Sequence, residues 1–135
     1  MNTQFDIAFI RSKKPCYNPA IYLPEGWKGS VKGILRHRDM PAKDKLWVVL
    51  RKELIDDKTL RLFAVACARR ALTSAVAATY TTYAAYDADH AAYAAANRAA
   101  YVAYAAAGAT AAAAAAAADA ERQWQINHLS TMLEV

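Results

Sequence analysis

The sequence predicts an all-α fold, a small helical N-terminal part packed with an Ala-rich antiparallel helical hairpin or bundle. Three observations predict it. Between Ala71 and Ala120, 28 of 50 residues are alanine, the strongest intrinsic helix former. Leu, Ile, Val, Phe, Trp and Met are concentrated in the first 76 residues, so the conventional core belongs there. A single helix from Thr59 to His128 would be about 105 Å long, a rod that a compact domain cannot use, so the helical segment reverses at least once. Residues 1–58 read as a basic N-terminal helical region and 59–135 as an Ala-rich helical region, together one compact domain.

Taken in order, Phe5-Asp6-Ile7-Ala8-Phe9-Ile10 alternates imperfectly and reads as a short strand or extended arm. Asn18-Pro19 has the form of an N-cap followed by proline at the first helical position, opening one short turn through Leu23. Pro24-Glu25-Gly26 is a turn, and Gly29-Ser30 offers a cap for a short helix near Val31–His37. From Pro41, Leu46, Val49 and Leu50 share one helical face that extends toward Glu53-Leu54, with Trp47 beside it. Asp56-Asp57-Lys58-Thr59 is a break and cap. Beyond it Leu60, Phe63, Ala64, Cys67 and Ala71 repeat as an amphipathic face that runs into the alanines.

Candidate reversals are the Thr79–Thr82 cluster, Asp87-Ala88-Asp89 and Gly108-Ala109-Thr110. Alanine buries little apolar surface, so such helices are held only by very close approach to a neighbour. The closing helix, roughly Thr110 to Leu129, carries Trp124, Ile126 and Leu129 back to the core.

Charge is divided unevenly. Residues 1–70 hold 15 Lys/Arg against 7 Asp/Glu, a net +8; residues 71–135 hold 2 against 5, a net −3. The front half is suited to an acidic protein or to nucleic acid through Arg36, His37, Arg38, Lys43, Lys45, Arg69 and Arg70, although no base-reading motif accompanies them. His37 is expected to be exposed in this basic patch. Cys16 and Cys67 fit no metal spacing, and with no cleavable signal at the N-terminus a reduced, cytoplasmic chain is expected, with Cys67 buried. The run 99–118 is too weakly hydrophobic for a membrane helix, so no membrane contact is expected.

The larger residues that interrupt the alanines are mostly tyrosines. Tyr83, His90, Asn97 and Tyr104 recur at seven-residue steps, and Tyr86, Tyr93 and Tyr101 fill the intervening turns. Two readings are open. Most of these tyrosines pack in a seam against an Ala-rich neighbour with their hydroxyls at its edge, while the exposed members form a recognition face. Asp87, Asp89 and His90 do not complete a metal site, because Asp89 projects away from the other two and no second His or Cys is at hand. No nucleophile elbow, phosphate loop or carboxylate pair is legible, so an enzyme is not expected, nor a cofactor.

Leu60-Arg61-Leu62-Phe63-Ala64-Val65-Ala66-Cys67-Ala68-Arg69-Arg70-Ala71-Leu72 resembles the start of the all-helical immunity-protein family encoded beside polymorphic toxins, and Glu121-Arg122-Gln123-Trp124-Gln125-Ile126-Asn127-His128-Leu129 resembles its close. The resemblance covers roughly residues 60–130. Members tend to carry several histidines in their Ala-rich helices, where this chain has His90 alone. Leu23-Pro24-Glu25-Gly26-Trp27 and Asp44-Lys45-Leu46-Trp47-Val48-Val49-Leu50-Arg51 are similar to phage-encoded relatives. The resemblance implies an inhibitor that binds and neutralises a protein target. That target is a toxin domain or, in an anti-CRISPR type of counter-defence, a bacterial nuclease complex. Arg36, Arg38, Lys43 and Lys45 would meet an acidic patch or nucleic acid held by the target. Tyr83, Tyr86, His90, Tyr93, Tyr101 and Tyr104 would supply the anchors. Self-association through the alanine seam is the structural alternative.

Overall fold

Two short extended segments open the molecule, and each ends in the residue that starts a helix. In a computed structural model that describes residues 3–70, 87–107 and 110–134, Gln4–Asp6 (β1) pairs antiparallel with Lys28–Ser30 (β2), Phe5 lying opposite Gly29. Asp6 then accepts from the Phe9 amide at 2.9 Å and caps Ile7–Ser12 (α1), while Ser30 caps Val31–Leu35 (α2) through the Gly33 amide. An N-cap residue needs β-region dihedrals, and Asp6 and Ser30 both have them. Asp6 and Ser30 thus lie at opposite ends of the short ladder, Asp6 across from Lys28 and Ser30 across from Gln4, and each turns its strand into a helix. The fold is mostly helical with a small two-stranded sheet, which corrects the all-α expectation. Gly29 is required here because a Cβ on it would stand 2.5 Å from the Trp27 ring, and Gly26, at φ 80°, closes the Pro24–Trp27 turn.

The remaining N-terminal elements follow their sequence signals. Asn18 caps a single 3-10 turn, Pro19–Ile21, by accepting from the Ala20 amide. Ala42–Val49 (α3) starts after Pro41 and stops before the Glu53-Leu54 pair, which lies beyond a turn closed at Arg51. Asp57–Arg70 (α4) is preceded by Asp56, whose carboxylate takes both the amide and the hydroxyl of Thr59. Leu60, Phe63, Ala64 and Cys67 face inward as their spacing predicts.

Ala88–Ala106 (α5) and Ala111–Met132 (α6) form an antiparallel hairpin. Asp87 is the N-cap of α5, and Thr110 caps α6 by accepting from the Ala113 amide at 3.1 Å. The Thr79–Thr82 and Gly108 candidates for reversal lie outside the described residues. The hairpin's register is fixed by polar ties: Gln125 Nε2 donates to the Ala96 carbonyl at 2.9 Å, and Arg122 donates to Asn97 Oδ1 at 3.2 Å. The buried face of α5 is entirely alanine, with Ala91, Ala92, Ala95, Ala96, Ala99 and Ala100 repeating at helical period. That face lies chiefly against α4, whose leucine and phenylalanine supply the bulk that alanine lacks. One continuous core joins Leu46, Val49 and Leu54 of the front half to Phe63, Ile126 and Leu129 behind.

Arg70 fastens the end of α4 to α6. Its Nη2 and Nε donate to Glu121 at 2.7 and 3.1 Å, and its guanidinium lies 4.1 Å from the Trp124 ring centre, with His128 stacked on that ring at 4.7 Å. The pair is asymmetric, since the Arg70 side chain is 40% exposed and that of Glu121 only 8%. Arg70→Met strands a buried carboxylate and is expected to cost ~2–4 kcal/mol of unfolding free energy in urea titration. Glu121→Gln leaves an arginine that water can reach and should cost only ~1 kcal/mol; equal costs would contradict the asymmetry. Ala95→Leu overfills the α4–α5 contact and should cost ~1–3 kcal/mol, against less than ~0.5 kcal/mol for Ala105→Leu on the exposed side.

Candidate functional site

On α5 His90, Tyr101 and Tyr104 are exposed away from the alanine face, so the helix turns these large side chains outward and its methyl groups inward. Tyr101 is 61% and Tyr104 44% exposed, and the Arg98 guanidinium lies 5.7 Å from the Tyr101 ring. His90 is exposed. Tyr93 and Asn97 are half-buried, Tyr93 resting on the core and Asn97 accepting from Arg122. The expected seam of packed tyrosines is therefore corrected on α5. Alanine makes the seam because helices at close approach have no room for rings, and the rings are left on the rim and the outer face. Tyr83 and Tyr86 lie outside the described residues.

Tyr93 and His90 also line a cleft between the end of α3 and the start of α5. Its other walls are Trp47, Leu50, Arg51 and Asp89, around a volume of about 150 Å3. Asp89 fixes its geometry by taking the Lys52 amide at 3.4 Å and the His90 amide at 2.8 Å, one from each segment that builds the cleft. The Arg51 guanidinium lies 4.3 Å from the Trp47 ring centre, a cation–π contact. Tyr17 packs edge-on against Trp47 at 6.2 Å behind them. Its hydroxyl is buried without a hydrogen-bond partner among the described residues, and burial, helped by the Asp44 charge, pushes its pKa up to about 12. Sequence reading missed Trp47, Arg51 and Asp89 as site residues because they come from segments some 40 positions apart with no shared motif.

The basic candidates separate. Arg36, Arg38 and Lys43 are exposed. Lys43 borders a second, open groove of about 430 Å3 with Pro41, Ala42, Asp119, Arg122 and Gln123, and burial holds the Arg122 pKa below its ordinary value. Lys45 is corrected: it is 9% exposed, and its Nζ donates to the Leu35 carbonyl at 3.2 Å, closing the C-terminal end of α2. Burial lowers its pKa. His37 is corrected too. It is half-buried, its Nδ1 accepts from the Asp39 and Met40 amides at 3.2 and 3.1 Å, and its Nε2–H donates to the Tyr22 carbonyl at 3.0 Å. Two amide donors facing Nδ1 fix that tautomer. The imidazole orders the link that displays Arg36 and Arg38 and takes no place in a patch.

Comparison of the chain with protein-family models, with curated proteins and with solved structures found no match. The site is therefore read from its own geometry. No group of three or more metal-capable side chains occurs among the described residues. No helix among them is long and apolar enough to cross a membrane. Cys16 is exposed and Cys67 buried, and burial pushes the Cys67 thiol up, reinforced by the Glu121 charge.

Lys45→Ala removes a buried tie and should cost ~1–3 kcal/mol, whereas Arg36→Ala, Arg38→Ala and Lys43→Ala should each stay within ~0.5 kcal/mol by urea titration. Tyr17→Phe discards an unpartnered hydroxyl and should be neutral or stabilising at neutral pH. A raised phenol pKa favours folding while the phenol is neutral. That contribution is intact below the ordinary value of 10.0 and is lost as pH rises toward about 12. The advantage of Tyr17→Phe over the parent should accordingly widen across that interval; a constant difference would contradict the burial of Tyr17.

Proposed function

We propose that this chain is a non-enzymatic inhibitor that binds and occludes a protein target, in the manner of the immunity proteins its 60–130 segment resembles. The observation that carries the reading is the outward display of Tyr101 and Tyr104, 61% and 44% exposed, on a helix whose opposite face is closed by alanine. Tyrosine offers a large, rigid, amphipathic contact at low conformational cost, and exposed aromatic groups on a rigid element are the usual anchors of protein interfaces. The flanking surface of small side chains lets a partner approach closely around them. Inhibition of this kind is steric and requires no cofactor. The bacterial cytoplasm, where a toxin domain would act, is the matching compartment.

Exposed Arg36, Arg38 and Lys43 favour a second reading of the same binding chemistry. A phage counter-defence protein directed at a host nuclease complex would use those cations against an acidic patch or against nucleic acid held by the complex. Both readings are tested by capture from bacterial lysate, with and without nuclease treatment, using the parent and a Tyr101→Ala/Tyr104→Ala double variant. A nuclease-resistant protein that the double variant retains at least about tenfold less well is the expected result. Recovery of nucleic acid alone, lost on nuclease treatment or at high salt, would replace the inhibitor with a nucleic-acid-binding protein. Equal capture by both proteins would remove the tyrosine face.

A further inference from the structure

The link 36–40 joins α2 to α3, and side chains fix it along its length. At its start the Lys45 ammonium ends on the Leu35 carbonyl at 3.2 Å, and at its end Met40 is buried in the core. Between them the chain is gathered around the His37 imidazole. Nδ1 accepts from the Asp39 and Met40 amides at 3.2 and 3.1 Å, and Nε2–H donates at 3.0 Å to the carbonyl of Tyr22, which ends the Pro19–Ile21 turn. Neither amide has another acceptor among the described residues.

This arrangement admits one protonation state. A nitrogen that faces two N–H donors must be bare, and a proton placed on it becomes a third donor with nothing to receive it. The imidazolium therefore keeps neither amide, and both are left without an acceptor. Turning the ring over is no remedy, because it sets carbon against the amides and carbon against the Tyr22 carbonyl. Imidazole exchanges its proton between about pH 5 and 8, so the conflict arises in mild acid. Nor do the surroundings hold a cationic ring. Arg36 and Arg38 flank it, with Asp39 next along the chain, and Lys45 reaches in from α3 to Leu35. From the Pro19–Ile21 turn the facing group is the Tyr22 phenol, its ring centre 6.4 Å away. No carboxylate pairs with the imidazole among the described residues.

We propose that His37 is an acid-sensitive latch on the link 36–40. The neutral ring fixes the link and with it the display of Arg36 and Arg38; protonation at Nδ1 releases both. The latch belongs to the fold and operates whatever the chain binds, so it stands apart from the inhibitor reading.

The test is nitrogen NMR of the full chain between about pH 7.5 and pH 5, read at the His37 ring and along the backbone of the link. At the upper end the ring should carry its proton on Nε2 with Nδ1 bare. The Arg38 and Asp39 amides should then be as rigid as the helices, with order parameters of about 0.85. As Nδ1 takes up its proton, the Asp39 and Met40 amide signals should move with it, and the order parameters of Arg38 and Asp39 should fall below about 0.6. His37→Asn supplies an oxygen that can accept from nearby amides but does not titrate, so its link should stay rigid across the range. If that variant fails to fold, the coincidence of ring and amide titrations in the parent decides alone. A proton on Nδ1 at about pH 7.5, a ring that protonates with the link unmoved, or a ring still neutral at about pH 5 would overturn the proposal. So would an equal acid response in His37→Asn, which would place the titrating group at Asp39 or at Asp44, whose pKa burial raises.

Discussion

Burial of α5 through a face whose fully buried residues are all alanine is the constraint on which the rest of the structure depends. Each buried alanine removes little apolar surface from water, so the helix is held only if its neighbours come close and bring larger side chains with them. Phe63 and Leu60 on α4, with Ile126 and Leu129 on α6, supply that bulk. Rows of alanine also specify register poorly, because one methyl row fits another in several positions. Directional contacts do the specifying: Gln125 on the Ala96 carbonyl, Arg122 on Asn97, and Arg70 on Glu121. Each would be lost on sliding the hairpin by one turn.

The same constraint explains the outer surface. A face that admits only methyl groups forces every ring on α5 to the rim or the outside, and Tyr101, Tyr104 and His90 are accordingly exposed. The side chains available for recognition are those the packing rejects. Where α5 begins, its first turn meets the end of α3, and the rejected Tyr93 and His90 then close the cleft with Trp47 and Arg51. The exposed tyrosine face and the cleft thus have one structural origin.

Much of this was legible in the sequence, for identifiable reasons. Caps written in local chemistry, such as Asn18-Pro19, Ser30, Asp56 and Thr110, lie where their side chains can reach an amide two or three residues on. The periodicity of Leu60, Phe63, Ala64 and Cys67 gave the inner face of α4 correctly. Long-range information was not legible. The imperfect alternation of Phe5–Ile10 marked an extended segment, but the strand ends at Asp6 and helix follows from Ile7, and nothing local marks Lys28–Ser30 as its partner. Lys45 looks like its exposed neighbour Lys43, and nothing local says that its ammonium ends on the Leu35 carbonyl. The tyrosine stripe was visible as a stripe, but its direction depends on the width of the gap between helices, which sequence spacing does not encode.

The central claim, alanine inward and tyrosine outward, is tested most directly by photo-CIDNP NMR, in which a dye in solution polarises only those tyrosine rings it can touch. With assignments made by single Tyr→Phe substitutions, the account predicts strong enhancement at Tyr101 and Tyr104 and none at Tyr17. Silent Tyr101 and Tyr104 signals would mean that the rings, not the methyl groups, fill the seam, and would contradict the account.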